Sequence, residues 1–268
     1  MQKNQILGAI IGDVIGSAYE WDNIKSVNFD LFKPDSKFTD DTVLTVATMK
    51  VLLDGGNSED YAKNYQAFGI SYPQRGYGDR FMDWLYSLNP EPYNSFGNGS
   101  AMRVSPVGWY YDDVKDVMLE AKKSAEVTHN HPEGIKGAQS VAAAIQMART
   151  GKSKDEIKNF ISNNFGYNLD RKIDDIRPTY KFDETCQGSV PEAIIAFLES
   201  SDFESAIRLA ISIGGDSDTI ACITGGIAEA FYKEIPEYIV ENVLAMLPNE
   251  FIKIIQDFTS HYGYSREK

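Results

Sequence analysis

Two short stretches of this chain carry acids at a density that only chemistry would need. KFTDDTV, residues 37–43, sets Asp40 and Asp41 side by side between Thr39 and Thr42. GGDSDTI, residues 214–220, sets Asp216 and Asp218 one residue apart, with Thr219 next. Each runs straight into an apolar helical stretch, VLTVATMKVLL in one case and IACITGGIAEAF in the other. A helix N-terminus offers unpaired N–H groups and the positive end of the helix dipole, so it stabilises a carboxylate. Capping accounts for one aspartate per helix. It accounts poorly for two, with threonines beside them. Four carboxylates and the hydroxyls of Thr39 and Thr219 form an all-oxygen donor set suited to a hard divalent cation. Histidine is missing from both stretches, which argues against zinc and for Mg2+ or Mn2+. If the two clusters converge, their repulsion calls for two cations, and such pairs activate water and clamp phosphate-bearing substrates.

A third acidic element is GDVIGSAYE, residues 12–20. Glu20 lies just past the end expected for a glycine-rich apolar helix over 5–18, where it can face the same cavity. Asp13 lies inside that helix. An unpaired carboxylate there would be costly, so Asp13 is assigned a structural task, accepting from backbone or loop donors.

The elements that must position these residues read as helix after helix. Apolar periodicity predicts a helix over 42–53, stopped by Gly55-Gly56, and one from Ser58 to about residue 69. DRFMDWLYSL predicts 79–88, with Phe81, Trp84, Leu85 and Leu88 on one face. Asp112 is the cap expected for 112–127, and Pro132 the first-turn proline of a helix running to Thr150. Ser153 with Glu156, and Ser189 with Glu192, fit capping boxes. Further helices fit 202–213, 218–232, 236–246 and 248–260, and 166–184 reads as a long surface loop. No alternating run of useful length signals a strand. The expectation is an all-α protein with a single domain over 1–268.

Composition narrows the function. The chain has 268 residues, 43% hydrophobic and 24% charged, an ordinary globular balance. Its formal net charge of −13 repels nucleic acid and anionic membranes, which argues against general binding to either. No apolar run reaches the ~18 residues of a membrane span. Asp13 and Glu20 interrupt the N-terminal apolar stretch, so no secretory leader is read and a cytoplasmic location and a monomer are expected. Cys186 and Cys222 lack CxxC partners and read as structural thiols.

Taken together, the motifs resemble the ADP-ribosylglycohydrolase family, the group related to dinitrogenase-reductase-activating glycohydrolase. GDVIGSAYE resembles the family's opening GD…G…E element and FTDDTVL its TDDT element. SFGNGSAMRVSPVG, 95–108, resembles its G-N-G-x-A-M-R segment, and AEVTHNHPEGIKGAQSVAAAI, 125–145, its Thr-His helix entry. SVPEAIIAFL, 189–198, resembles another shared helix, and GGDSDTIACITGGIAEAFY, 214–232, the closing GGDxDT element. Six elements in family order, spanning residues 8–232, make the resemblance specific.

The resemblance implies an all-α orthogonal bundle with two Mg2+ ions in a central metal-lined cleft. It implies hydrolysis of the C1″ bond between ADP-ribose and an acceptor, on an ADP-ribosylated protein side chain or a small-molecule adduct. Thr39, Asp40, Asp41, Asp216, Asp218 and Thr219 then match metal ligands. Glu20 matches an acid/base or gating glutamate, with Asp40 and Asp218 as further proton-transferring candidates. Gly97, Asn98, Gly99, Ser100 and Met102 match the loop along the phosphates and ribose, and His129 matches a histidine of that region. The flexible GNGS backbone suits phosphate cradling.

Alternatives stay open. His129 and His131 could instead cap the helix after Pro132. Tyr72, Arg75, Tyr77 and Trp84 could meet phosphate and adenine, or simply pack. The segment 21–37 joins Glu20 to the TDDT cluster and is a candidate lid, and with 166–186 it would shape acceptor choice. A metal-dependent hydrolase of a free ADP-ribose derivative or nucleotide, and a non-catalytic crystallin-like member of the fold, are the competing readings.

Overall fold

Helices make up the regular structure of the protein, as seen in a computed structural model that describes residues 6–56 and 58–262, apart from the Ser58 side chain. They run α1 (Gly8–Gly16), α2 (Asp40–Leu53), α3 (Ser58–Ser71), α4 (Asp79–Leu85), α5 (Gly99–Met102), α6 (Ser105–Tyr110), α7 (Val114–Glu126) and α8 (Pro132–Arg149). The order continues with α9 (Lys154–Phe165), α10 (Ile173–Ile176), α11 (Cys186–Glu199), α12 (Phe203–Ile213), α13 (Ser217–Tyr232), α14 (Glu237–Leu244) and α15 (Asn249–Tyr262). Among the described residues no strand forms, and Gly97 and Thr185 make an isolated antiparallel bridge.

The centre is α13, buried from Ser217 to Ala230 and packed against α1, α8, α11 and α12. A helix apolar on every side belongs in a core. Its closest neighbour is α1. Gly8, Gly12 and Gly16 share one face of α1, because residues four apart stack on one side of a helix. A Cβ on Gly12 would lie 2.0 Å from the Ala221 carbonyl oxygen, and one on Gly16 would lie 2.5 Å from the Asp218 Cα. Gly8 meets Gly225 in the same way, at 2.3 Å. The helices therefore touch backbone to backbone and run antiparallel, so the end of α1 meets the start of α13. The other end is tied by Glu229 of α13, which accepts from the amides of Leu7 and Gly8 at 3.0 and 2.8 Å. Leu7, the N-cap of α1, makes no side-chain cap bond, so this carboxylate takes that place.

Several element ends differ from the sequence expectation. α2 begins at Asp40 rather than 42, capped by Thr39. α7 is capped by Asp113, which accepts from the Lys115 amide at 2.7 Å, while Asp112 pairs with Arg149 at 2.8 Å. The Ser189–Glu192 box does not form. α11 starts one turn earlier under a Thr185 cap, Ser189 donates to the Thr185 carbonyl, and Glu192 pairs with Arg171. The Ser153–Glu156 box is present. α4 stops at Leu85 and leaves Leu88 exposed. The stretch 166–184 is no plain surface loop, because Tyr167, Leu169, Ile173 and Ile176 are buried around the short α10. The expected helix start at residue 5 and the Ser58 cap lie outside the described residues.

The α1–α13 contact generates a stability prediction. In Gly12→Val the added atoms meet fixed backbone, so urea unfolding is expected to show a loss of at least about 3 kcal/mol. A loss below about 0.5 kcal/mol would mean the helices can separate without cost.

Candidate active site

Asp13 builds the first half of the site. Its carboxylate, fully buried on α1, accepts from the Thr39 and Thr42 amides at 2.9 and 3.1 Å and from the Thr39 hydroxyl at 2.6 Å. It also accepts a short bond from the Thr42 hydroxyl. The Thr42 amide is one of the orphan N–H groups in the first turn of α2, and the other donors flank it, so one helix supplies the anion that the next helix end needs. The structural task read for Asp13 is what the molecule shows. The turn it holds leaves Asp40 and Asp41 facing outward from α1. The Asp40 amide is fixed by the Arg75 carbonyl at 2.8 Å.

The second half sits at the start of α13. Gly214 and Gly215 take φ of +74° and +76°, a region glycine enters without strain, and swing the chain so that Asp216 and Asp218 face α2. Asn23 ties this turn to the residues after α1. Its Oδ1 accepts from the Gly215 amide at 2.7 Å, and its Nδ2 donates to the carbonyls of Tyr19, Glu20 and Gly215. Lys25 adds bonds to the carbonyls of Ile213 and Tyr180. Glu20, Asp216 and Asp218 thus each bring a carboxylate oxygen within 4.8 Å of the others.

The halves meet through Thr219, whose hydroxyl donates to Asp41 Oδ2 at 3.2 Å. Asp41 Oδ1 is buried and has no hydrogen-bond partner. Asp216 accepts from Asn98 Nδ2 at 2.7 Å. Among the described residues, none of Glu20, Asp40, Asp41, Asp216 and Asp218 forms an ion pair with lysine or arginine. Burial pushes the carboxyls of Asp40, Asp41 and Asp218 well above the usual range, and the charges of Asp13 and Asp216 push them further. Burial likewise raises Glu20 to about 7, with help from Asp216 and Asp13 and against Lys37 and a hydrogen bond from Trp21. An orphaned buried oxygen within an all-oxygen cluster fits a hard divalent cation.

The opposite wall of this cleft of about 590 Å³ is formed by Ser95, Phe96, Gly97, Asn98, Gly99 and Met102, with His129 behind them. Main-chain bonds from Asn98 to Glu184 and from Cys186 to Phe96 pin this loop to the start of α11. Ser100 points away, donating to the Gly134 carbonyl at 2.7 Å. Thr39 does not line the cleft, and its hydroxyl hydrogen is committed to Asp13. His131 caps α8 through the Glu133 amide, whereas His129 caps nothing. Tyr72, Arg75, Tyr77 and Trp84 pack instead of lining the cleft. Arg75 lies on the Phe38 ring, Tyr72 on Phe251, and Trp84 on Phe81. Residues that sequence reasoning passed over take their place: Arg80, Phe81, Tyr93 and Phe96, and Trp21 stacked on Phe182 at 5.2 Å. Trp21 is 81% exposed, an unusual setting for the largest side chain, and that signal appears only once the chain is folded.

The ADP-ribosylglycohydrolase family model matches residues 3–265. The ADP-ribosylhydrolase ARH3 of Mus musculus is 30% identical over 313 aligned residues, covering 87% of this chain and 84% of that protein. The ADP-ribosylarginine hydrolase Tri1 of Pseudomonas putida is 24% identical, covering 86% and 70%. A solved structure described as an ADP-ribosylglycohydrolase-related protein complex shares the fold, with a TM-score of 0.71 at 23% identity over 97% of this chain and 96% of that one.

The electrostatics of the cleft predict an inverted pH dependence. A carboxyl held above its unfolded value contributes stability below that value and loses it as pH rises through the folded one. For Glu20 that window runs from 4.5 to about 7. In chelator, stability is expected to fall across this range, and Asp41→Asn is expected to flatten the fall. Stability that rises over the same range in chelator would contradict the repulsion.

Proposed function

We propose, from the premise that the chain belongs to the ADP-ribosylglycohydrolase family, that its cleft hydrolyses the C1″ bond joining ADP-ribose to an acceptor, releasing ADP-ribose. The observation that carries this is the gathering of Glu20, Asp40, Asp41, Asp216 and Asp218 from three separate stretches into one cleft, facing the Gly97–Gly99 loop. Asp40, Asp41, Asp216 and Asp218, with a lone pair of the Thr219 hydroxyl, would hold two Mg2+ ions. When bound, these ions neutralise the carboxylates, lower the pKa of a coordinated water and anchor ribose hydroxyls.

The chain's own residues do the rest. Burial raises the Glu20 carboxyl above its ordinary range, which favours a group that can give a proton to the departing acceptor atom and take one from the attacking water. The aspartates around it stabilise positive charge developing at C1″. Gly97, Asn98, Gly99 and Met102 line the wall that receives the phosphates and the nearer ribose. Ser100 supports that wall from behind by holding Gly134. The acceptor leaves on the side of Trp21 and Phe182. None of the described helices is long and apolar enough to cross a membrane.

The test is turnover of ADP-ribosylated arginine and serine peptides and of ADP-ribose 1″-phosphate, with Mg2+ and with chelator. Free ADP-ribose and an intact acceptor are expected, and Asp40→Ala is expected to cut kcat/KM at least about a hundredfold. Undiminished activity in chelator, or a nucleotide monophosphate as product, would remove this reading.

A further inference from the structure

The MR and TH pairs, Met102-Arg103 and Thr128-His129, contain three residues that the reaction above leaves unused: Arg103, Thr128 and His129. Arg103 is completely buried, yet it forms no ion pair among the described residues. Its guanidinium lies 4.3 Å from the Tyr65 ring centroid, and its Nε and Nη1 have no hydrogen-bond partner. Nη2 donates to the Ser124 carbonyl at 3.1 Å and to Thr128 Oγ1 at 2.8 Å. Thr128 Oγ1 in turn lies 2.7 Å from Nδ1 of His129.

A threonine hydroxyl has one hydrogen to give. Arg103 can only donate, so it occupies a lone pair of Thr128 and leaves that hydrogen for another partner. Nδ1 of His129 is the acceptor within reach. If Nδ1 carried the proton instead, the Thr128 hydroxyl would be a buried donor with nothing to donate to, a costly arrangement. Nδ1 is therefore the bare nitrogen and Nε2 carries the hydrogen. Burial, and then the charges of Arg103 and Arg80, hold the imidazole neutral. Among the described residues Nε2 has no hydrogen-bond partner. It faces the cleft loop, where a Cβ on Gly99 would lie 3.2 Å from it and one on Gly97 3.6 Å.

We propose that Thr128, itself held by Arg103, is a positioning residue that locks His129 in its Nε2–H form, so that the cleft presents a fixed neutral donor to an oxygen of the bound ligand. The ligand half of this proposal rests on the ADP-ribose reading above. The tautomer half does not. A neutral donor of fixed direction suits a site already crowded with ionised groups, because it adds direction without adding a charge.

The chain has 3 histidines, so nitrogen-15 imidazole spectra of the full-length protein can be assigned residue by residue. The wild type, without ligand, is expected to show a protonated-type Nε2 and a bare-type Nδ1 for His129. Thr128→Val keeps the shape and removes both the acceptor and the donor, so both tautomers should appear, whereas Thr128→Ser should restore the single form. Titration with ADP-ribose is expected to give a Kd about tenfold weaker for Thr128→Val, the factor of one lost hydrogen bond, and a Kd within about twofold of wild type for Thr128→Ser. A variant that is merely less stable would lower Tm and leave both the spectrum and Kd as they were. A protonated Nδ1 in the wild type, or a single unchanged tautomer in a folded Thr128→Val, overturns the lock. Equal ADP-ribose affinity in the two proteins overturns the aimed donor. Failure of the wild type to bind ADP-ribose overturns the reading of the cleft and the ligand half with it, and the spectrum still decides the tautomer.

Discussion

Backbone contact between α1 and α13 is the constraint on which the rest of this molecule hangs. Three glycines at intervals of four let the two helices approach until carbonyl and Cα are in contact. That closeness fixes Glu20 against Asp216 and Asp218, because the end of one helix is brought to the beginning of the other. It also fixes Asp13 beneath α2, which sets the direction of Asp40 and Asp41. A side chain inserted at Gly12 or Gly16 would meet the backbone of α13 that carries Asp218 and its neighbours.

The cost of the arrangement is electrostatic. Buried, repelling carboxylates destabilise the protein in which they sit. The protein distributes that cost unevenly. Asp13 is matched by four donors and serves the fold. Asp41 keeps one buried oxygen with no hydrogen-bond partner among the described residues. The acid with every bond satisfied lies on α1 and the acid left wanting in the first turn of α2, and the contrast separates a structural carboxylate from one that waits for a ligand.

Much of this was legible in the chain itself. Helical periodicity, caps and the lack of alternation lead directly to an all-α fold, and two acids at each of two helix starts exceed what caps require. Asp13 was readable because a carboxylate amid GAIIGDVIG must find donors. Short-range signals failed where tertiary partners decide. Ser189 and Thr185 are both able caps, and the bridge between Gly97 and Thr185 selects the second. The helices Gly99–Met102 and Ser105–Tyr110 are too short for a period to show. Asn23 and Lys25 look like ordinary loop residues until Gly215 and Ile213 are brought beside them. Trp21 and Phe182 carry no sequence pattern, because their pairing exists only between two loops. The YPQRGYGDRFMDWL stretch misled for a related reason, since Tyr72, Tyr77 and Trp84 pack while its glycines, Arg80 and Phe81 border the cleft.

The glycine contact also sets a clock. Synthesis delivers α1 first, yet its partner lies some two hundred residues downstream, at Ser217–Tyr232. Contacts between such distant parts of a chain form late, after the entropy of closing the long loop has been met. Until then, a glycine-rich apolar helix and a bare acidic turn have nothing to pack against, a condition that invites chaperones and wrong partners. The cleft is therefore incomplete until α13 has been made and seats against α1, because Asp216 and Asp218 arrive only with it.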